Sequence, residues 1–238
     1  MISHGKCAQC KLKNRICQRM DGNSPAFCST CLYADVIQEA EDEYNIAEIN
    51  KFACEAAEQE ATCYIDRKAS PGYLYPVKPR VQEIIEFARR MEYRKLGVAF
   101  CMGLHKEAAV FCKILEDHGF DVVSVVCKVG GKDKTFLGLK ENQKIHEGCF
   151  EPMCNPIAQA KILNTAQTEF NILLGLCVGH DSLFIKYSQS LVTILAVKDR
   201  VLGHNPLAAI YNYDSYYERF QTDRIKELDV KSTPGRSK

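Results

Sequence analysis

The sequence predicts an α/β protein: a small parallel sheet of about four strands with flanking helices, preceded by a helical segment and an N-terminal cysteine-rich metal knuckle. Three observations support this prediction. From residue 95 onward, short apolar runs alternate with amphipathic stretches of about 10 to 15 residues, which is typical of βαβ units. Residues 32–68 carry apolar side chains at helical spacing and many acidic residues. The first 31 residues contain five cysteines and few apolar side chains.

These patterns divide the chain into four predicted parts. The cysteine-rich module covers residues 1–31, and a helical segment with a proline-rich linker covers 32–94. The α/β domain covers 95–220, and residues 221–238 form a flexible polar tail.

Composition restricts the class of protein. The 238 residues are 46% hydrophobic and carry a net charge of +1, which favours a globular protein and does not favour nucleic-acid binding. The sequence has no apolar run of the roughly 20 residues that a membrane helix needs, and no signal-peptide core. We therefore expect a cytoplasmic protein without membrane contact. In that compartment thiols stay reduced, so the 13 cysteines favour metal binding over disulfides.

The predicted strands end in a similar way. KLGVAFC, DVVSVVC and NILLGLC end at Cys101, Cys127 and Cys177, and the fourth strand, VTILAV, runs into Lys198. Because the carboxyl ends of parallel strands share one edge of a sheet, and ligands bind there, we expect the thiols to meet at that edge. Buried packing is the alternative for any single cysteine.

Two pairs of similar short motifs predict helix N-termini at the same edge. FCMGLH and LCVGHD each place a glycine and a histidine soon after a cysteine, and CNPIAQA resembles HNPLAAI. In the second pair, Asn is the expected N-cap and Pro the first helical residue, preceded by Cys154 or His204. A helix N-terminus favours a nearby thiolate, so four such ends would present sulfur or imidazole to one crevice.

Cys149, Cys154 and Cys177 have the spacing C-x4-C-x22-C, and Cys101 or Cys127 would supply a fourth ligand. This spacing matches neither a ferredoxin run nor paired zinc knuckles, so the fold would have to assemble the site. We expect a metal site, most consistent with an iron–sulfur cluster. A thiol-lined active site without metal is the main alternative.

Polar residues near these cysteines are candidates for catalysis. His180 and His204 would handle protons, or serve as ligands or helix caps. Asp199 lies between Lys198 and Arg200, and this group either binds an anionic substrate or forms a salt-bridged loop.

The N-terminal module has the spacing C-x2-C-x17-C-x2-C through Cys7, Cys10, Cys28 and Cys31. Two such knuckles suit tetrahedral sulfur coordination, and a metal would replace the missing core. Cys17 adds a fifth thiol, so both zinc and an iron–sulfur cluster are compatible with this module.

Four motifs resemble a known family: FARRMEYRKLGVAFCMGLHKEA, CNPIAQAKILN, NILLGLCVGHDSLF and VKDRVLGHNPLAAIY. Together with the N-terminal CxxC module, they are similar to uncharacterised prokaryotic metal-binding proteins labelled domain of unknown function 1847. The resemblance extends from Cys7 to about Tyr211. It implies a metal-binding cytosolic protein, largely of archaea and anaerobic bacteria, and it brings no established reaction.

The sequence therefore favours a metalloprotein that performs redox or sulfur chemistry on a small molecule, with a small-molecule or redox partner. Cys101, Cys149, Cys154 and Cys177 would be ligands or nucleophiles. A metal carrier or sensor is one alternative, and a zinc-knuckle adaptor for protein or nucleic acid is another. A nucleotide-binding enzyme is disfavoured, since the sequence has no Walker loop and no G-x-G-x-x-G after a strand.

Overall fold

The computed structural model describes residues 4–65 and 74–221, and the chain divides into two compact units, Met1–Lys78 and Pro79–Lys238. Except for Gln221, the predicted tail lies outside the described residues, as does part of the predicted linker. Within the described ranges, no helix is both long and apolar enough to cross a bilayer.

The first unit contains the cysteine-rich module and the acidic helices. A 3-10 turn at Cys7–Gln9 is followed by helices α1, α2 and α3 and by two short strands, β1 and β2, that pair antiparallel. Their bounds are Ser29–Leu32, Ala34–Glu43, Ala47–Thr62, Tyr64–Ile65 and Tyr75–Pro76. No side chain of residues 4–31 is buried, so the module has almost no apolar core of its own.

The second unit is built on a four-stranded, fully parallel sheet, as predicted. Its strands are β3 (Lys95–Phe100), β4 (Asp121–Val126), β5 (Phe170–Leu174) and β6 (Val192–Ala196), in the spatial order β4-β3-β5-β6. The chain moves from β3 outward to β4 and then returns across β3 to β5. Because βαβ connections are right-handed, the connections after β3 and β5 lie on opposite faces of the sheet. The gap between these two strand ends is the topological switch point, where open α/β sheets bind ligands.

Helices cover both faces of this sheet. They are α4 (Arg80–Arg90), α5 (His105–Asp117), α6 (Pro156–Thr165), α7 (His180–Tyr187) and the short α8 (Leu207–Tyr211). Successive strand side chains point to opposite faces, so each strand feeds two separate apolar clusters. One cluster packs α6 and α7 on the sheet through Ala99, Leu173, Ala160, Leu163 and Phe184. The other packs α5 on the opposite face through Phe100, Leu174, Leu104 and Ala108.

The third strand of this sheet ends earlier than the sequence predicts. The pattern NILLGLC predicts a strand through Cys177, whereas β5 ends at Leu174. Gly175 has a φ of +69°, and a Cβ placed there would lie 2.1 Å from Cδ1 of Leu104. Only glycine fits that turn without strain, and the close approach packs the loop after β3 onto the end of β5. Cys177 therefore lies beyond the strand, in the turn that leads to α7.

The long polar segment between β4 and α6 is organised by buried charge. Its residues form two 3-10 turns, Lys134–Leu137 and Glu141–Gln143. The side chain of Lys144 is 4% exposed, and its Nζ lies 2.9 Å from both Asp133 Oδ1 and Glu141 Oε1. Glu151 pairs with Lys134 and accepts hydrogen bonds from two backbone N–H groups. Paired charges take the place of an apolar core in this loop.

Gly175→Ala tests the turn that carries Cys177. We expect it to lower the free energy of unfolding by about 2 to 4 kcal/mol, because it combines positive-φ strain with a steric clash. Gly119→Ala is the matched control: Gly119 has a φ of +90° and nothing within 4 Å, so its cost should be about 1 kcal/mol. Equal losses in urea denaturation would show that Leu104 does not restrict this turn.

Glu151→Gln tests the charged loop. The ion pair with Lys134 outweighs burial and, with the N–H groups of His146 and Ile145, lowers the pKa of Glu151 to about 2. A lowered carboxyl pKa stabilises the fold above the ordinary pKa of about 4.5, and this stabilisation disappears as the pH falls towards about 2. The variant should have a lower Tm than the wild type at pH 7, and the difference should shrink below pH 4.5. Glu147→Gln, at an exposed position in the same loop, should cause no such pH-dependent difference.

Candidate functional site

Three cysteines from separate segments meet at the carboxyl edge of the sheet. Cys101 and Cys127 directly follow β3 and β4, and the thiol of Cys127 contacts the thiols of both Cys101 and Cys154. Cys154 reaches this position because the N–H of Asn155 donates to the carbonyl of Cys127 at 2.7 Å. The Asn155 side chain also caps α6, accepting from the N–H of Ala158 at 3.0 Å, as predicted.

The three thiols share protons unequally. The hydrogen bond from Cys127 outweighs burial and, with the Gly103 N–H and Lys198, lowers the pKa of Cys101 to about 5. Hydrogen bonds from Cys127 and then His180 outweigh burial and lower the pKa of Cys154 to about 4. Contacts with Cys101 and Cys154 raise the pKa of Cys127 far above its usual range. Since Cys127 has one proton to donate, the three thiols titrate as a coupled group in which Cys101 and Cys154 are the more acidic members.

His180 is the imidazole of this cluster. It is the first residue of α7, and its N–H donates to the carbonyl of Cys177 at 2.9 Å. Its ring hydrogen-bonds Cys154, and this contact raises the pKa of His180 in spite of burial. Cys154 thus favours the protonated form of the His180 ring. The role of His180 in proton handling stays a prediction.

Cys177 lies at the same edge but has a different partner. Its half-buried sulfur accepts a hydrogen bond from Nη2 of Arg200 at 3.1 Å. This contact raises the pKa of Arg200, to which the charges of Cys101 and Cys154 also contribute. Arg200 therefore links Cys177 to the thiol cluster electrostatically.

Gln159 is a buried polar residue of this edge that sequence reasoning missed. Its Nε2 donates to the carbonyls of Phe100, at 3.2 Å, and Val125, at 2.7 Å, so it ties α6 to the strands that carry Cys101 and Cys127. The one available signal is a polar residue inside the apolar pattern PIAQAKIL. Lys128, which follows Cys127, was also missed. Its charge contributes to the lowered pKa of Cys154.

Other predicted residues lie outside this cluster. Cys149 is exposed in the charged loop, where its backbone contacts Lys144 and His146. Asp199 accepts from two N–H groups of its own loop, and Nδ1 of His204 accepts from the N–H of Asp199 at 3.1 Å. The contacts of Asp199 and His204 thus fix the loop after β6. The predicted cap at Asn205 is wrong, since Pro206 is the N-cap of α8 and no side chain caps it.

The N-terminal module brings its two CxxC turns side by side. The N–H of Cys10 donates to the carbonyl of Cys7 at 3.1 Å, and Cys31 and Cys28 form the equivalent bond at 3.2 Å. Hydrogen bonds from the side chain and backbone of Ser29, between the second pair, lower the pKa of Cys7. Cys28 is subject to burial, which raises its pKa, but N–H hydrogen bonds prevail and lower it. Cys17 is exposed and contacts none of these four sulfurs among the described residues.

Neither cysteine group has the finished geometry of a metal shell. Among residues 4–65 and 74–221, no set of three or more His, Cys, Asp or Glu side chains is arranged to hold one ion. At the sheet edge Cys101, Cys127 and Cys154 pack together in one apolar cluster. Donor type and surrounding charge suit a soft metal, since thiolates are its preferred ligands and cations stabilise them.

Fold and site together define an α/β protein with a cysteine-lined edge at the switch point of a parallel sheet. The chain belongs to the family described as "Protein of unknown function (DUF1847)", which matches residues 28–195, as the sequence motifs predicted. An uncharacterised protein of Methanocaldococcus jannaschii is 44% identical over 212 residues, covering 89% of this chain and 95% of that protein. No solved structure matches the chain.

Alkylation of the reduced, chelator-treated protein tests the protonation pattern. Cys154 and Cys112 are both half-buried, but burial raises the pKa of Cys112 whereas that of Cys154 is about 4. At pH 6, iodoacetamide should modify Cys154 about tenfold faster, since its larger thiolate fraction outweighs its lower nucleophilicity. Peptide mass spectrometry between pH 6 and 8 should show a constant rate for Cys154 and a rising rate for Cys112. Parallel rises at both sites would contradict the assignment.

Proposed function

We propose that this protein is a cytoplasmic metalloprotein that binds an iron–sulfur cluster or zinc through Cys101, Cys127 and Cys154. Its proposed activity is redox or sulfur chemistry on a small molecule at the switch point of the sheet. The main support for the proposal is the packing of these three cysteines, which come from three separate segments, in one cluster with Lys128 and Lys198 nearby.

The donor set favours this assignment on chemical grounds. Three sulfur ligands suit iron–sulfur clusters and zinc, and three protein ligands leave one coordination position for a substrate. When bound, the metal centre would supply an electron-transfer or Lewis-acid site. Binding would displace the proton of Cys127, because a metal ligand must be a thiolate. His180 would keep its proton at Cys154, and Lys198 and Lys128 would balance the thiolate charge.

We further propose a second metal in the N-terminal module, held by Cys7, Cys10, Cys28 and Cys31. The two CxxC turns are adjacent, and the thiols of Cys7 and Cys28 are close enough to interact electrostatically. Since residues 4–31 bury no side chain, metal binding would supply the folding energy that a core supplies elsewhere. Zinc and an iron–sulfur cluster are both compatible with four thiolates.

A metal-free dithiol activity is the second candidate. The thiolate of Cys101 lies against the protonated thiol of Cys127, which is the arrangement of a thiol pair that forms a disulfide on two-electron oxidation. A metal carrier or sensor would use the same ligands without turnover. Metal analysis distinguishes the metal-free dithiol candidate from the metalloprotein. Catalytic turnover distinguishes a metalloenzyme from a metal carrier or sensor.

The deciding experiment is anaerobic purification of the full chain, followed by metal and acid-labile sulfide analysis and a visible spectrum. Cys127→Ser should lose the sheet-edge metal and keep the N-terminal metal, and Cys28→Ser should show the reverse. Cys112→Ser is the matched control, since Cys112 lies mid-helix in α5 and takes no part in either group.

The possible outcomes separate the candidates. A colourless protein with zinc and no acid-labile sulfide excludes the iron–sulfur form. Metal content in Cys127→Ser equal to that of Cys112→Ser removes Cys127 from the ligand set. Metal confined to the N-terminal module, together with a Cys101–Cys127 disulfide after mild oxidation, favours the dithiol activity.

A further inference from the structure

Three basic side chains at the sheet edge have no carboxylate partner among the described residues. Lys128 follows β4, while Lys198 and Arg200 follow β6, so all three belong to the edge that carries the thiols. In the described part of the chain, none of the three forms an ion pair with Asp or Glu. Lys134 and Lys144, in the neighbouring charged loop, are both paired with carboxylates.

The positions of two of these cations place them over the thiols. Nη2 of Arg200 lies 3.1 Å from Sγ of Cys177. Nζ of Lys198 and Sγ of Cys101 both lie close to Gly103. A Cβ atom at Gly103 would lie 3.2 Å from Nζ of Lys198 and 4.0 Å from Sγ of Cys101. Gly103 thus leaves the space through which Lys198 reaches Cys101. The sequence left open whether Lys198 and Arg200 form a salt-bridged loop, and among the described residues neither forms an ion pair with a carboxylate.

The nearest carboxylate in sequence does not pair with these cations. Oδ1 of Asp199 accepts hydrogen bonds from the N–H groups of Val201, at 2.9 Å, and Leu202, at 2.8 Å, so this carboxylate is engaged by its own loop. Nζ of Lys128 donates to the carbonyl of Pro152, which carries no charge. Among the described residues, Lys198 and Arg200 thus form no ion pair with a carboxylate, and a bound oxyanion would supply the opposite charge.

We propose that this edge binds a small, doubly charged oxyanion, contacted by Arg200 and Lys198 and lying beside the thiol of Cys177. The proposal rests on the proposed function and names the substrate class of that site. Arg200 offers a planar fork of N–H donors, of which only Nη2 is engaged by Cys177, and such a fork suits phosphate-like and sulfate-like groups. Lys198 supplies a second cation, and both cations lie at the carboxyl edge of the sheet, where open α/β sheets bind ligands. The oxyanion is either free or part of a small ester.

Calorimetric titration of the anaerobically purified full chain at low ionic strength tests this proposal. The probes are sulfate, thiosulfate, inorganic phosphate and a small phosphomonoester, with nitrate as the singly charged comparison. We expect the divalent anions to bind at least tenfold more tightly than nitrate. Tighter binding of the ester than of phosphate assigns the oxyanion to an organic molecule, and the opposite order assigns it to a free anion.

Arg200→Gln should weaken binding of the divalent anions at least tenfold, while metal content stays at the wild-type value. Arg94→Gln is the matched control, because it removes the same exposed charge just before β3, at the opposite edge of the sheet. It should change affinity less than twofold. Circular dichroism of both variants checks that each is folded.

Two results overturn the proposal: nitrate binding as tight as sulfate binding, or unchanged affinity in Arg200→Gln. Failure of the metal assignment gives a different result. A chain without sheet-edge metal that still binds divalent anions through Arg200 supports the anion site and rejects the metal. A chain with the metal and no anion binding rejects only the anion site.

Discussion

The hydrogen bonds of Cys127 connect β3 and the loop after it to the segment that starts α6. Its N–H donates to the carbonyl of Phe100 at 2.8 Å, and its carbonyl accepts from the N–H of Asn155 at 2.7 Å. Its sulfur accepts from the N–H of Met102 at 3.3 Å and contacts both neighbouring thiols. One residue that is 2% exposed thus fixes the loop after β3, the start of α6 and the distribution of protons. A side chain with this many partners has little freedom to move, so the site is preorganised.

The electrostatics of the edge follow from that arrangement. Nearby positive charge from Lys198 favours the thiolate form of Cys101, and Lys128 and His180 do the same for Cys154. Lys128 and Lys198 lie two residues beyond the ends of β4 and β6, and His180 begins α7, so the parallel topology brings them to one edge. Arg200 and Lys198 lie near sulfur and form no ion pair with a carboxylate among the described residues. In the proposed anion site, Lys198 would therefore serve both the Cys101 thiol and the bound anion.

Much of the fold and about half of the site could be predicted from sequence, for identifiable reasons. The four strands and the cysteines that follow them depend on local patterns of apolar residues, which the sequence displays directly. Which cysteine contacts which other cysteine does not depend on such local patterns. Cys149 and Cys154 are five residues apart, yet only Cys154 contacts Cys127, because a backbone bond from Asn155 holds it there. The early end of β5 depends on Leu104, a residue far from Gly175 in sequence.

The two cysteine groups differ in what a metal would do for them. The thiols of the sheet edge lie on an apolar core, and Cys101 and Cys127 belong to that core themselves. This edge therefore has its shape before any metal binds, so metal binding there can serve chemistry. Residues 4–31 bury no side chain, so their two CxxC turns depend on hydrogen bonds of the backbone and of Ser24 and Ser29. Binding energy in that module would be used for folding, as in structural zinc sites. The cysteines of one chain thus divide into a set suited to structure and a set suited to reactivity, and apolar burial beneath them is the property that separates the two.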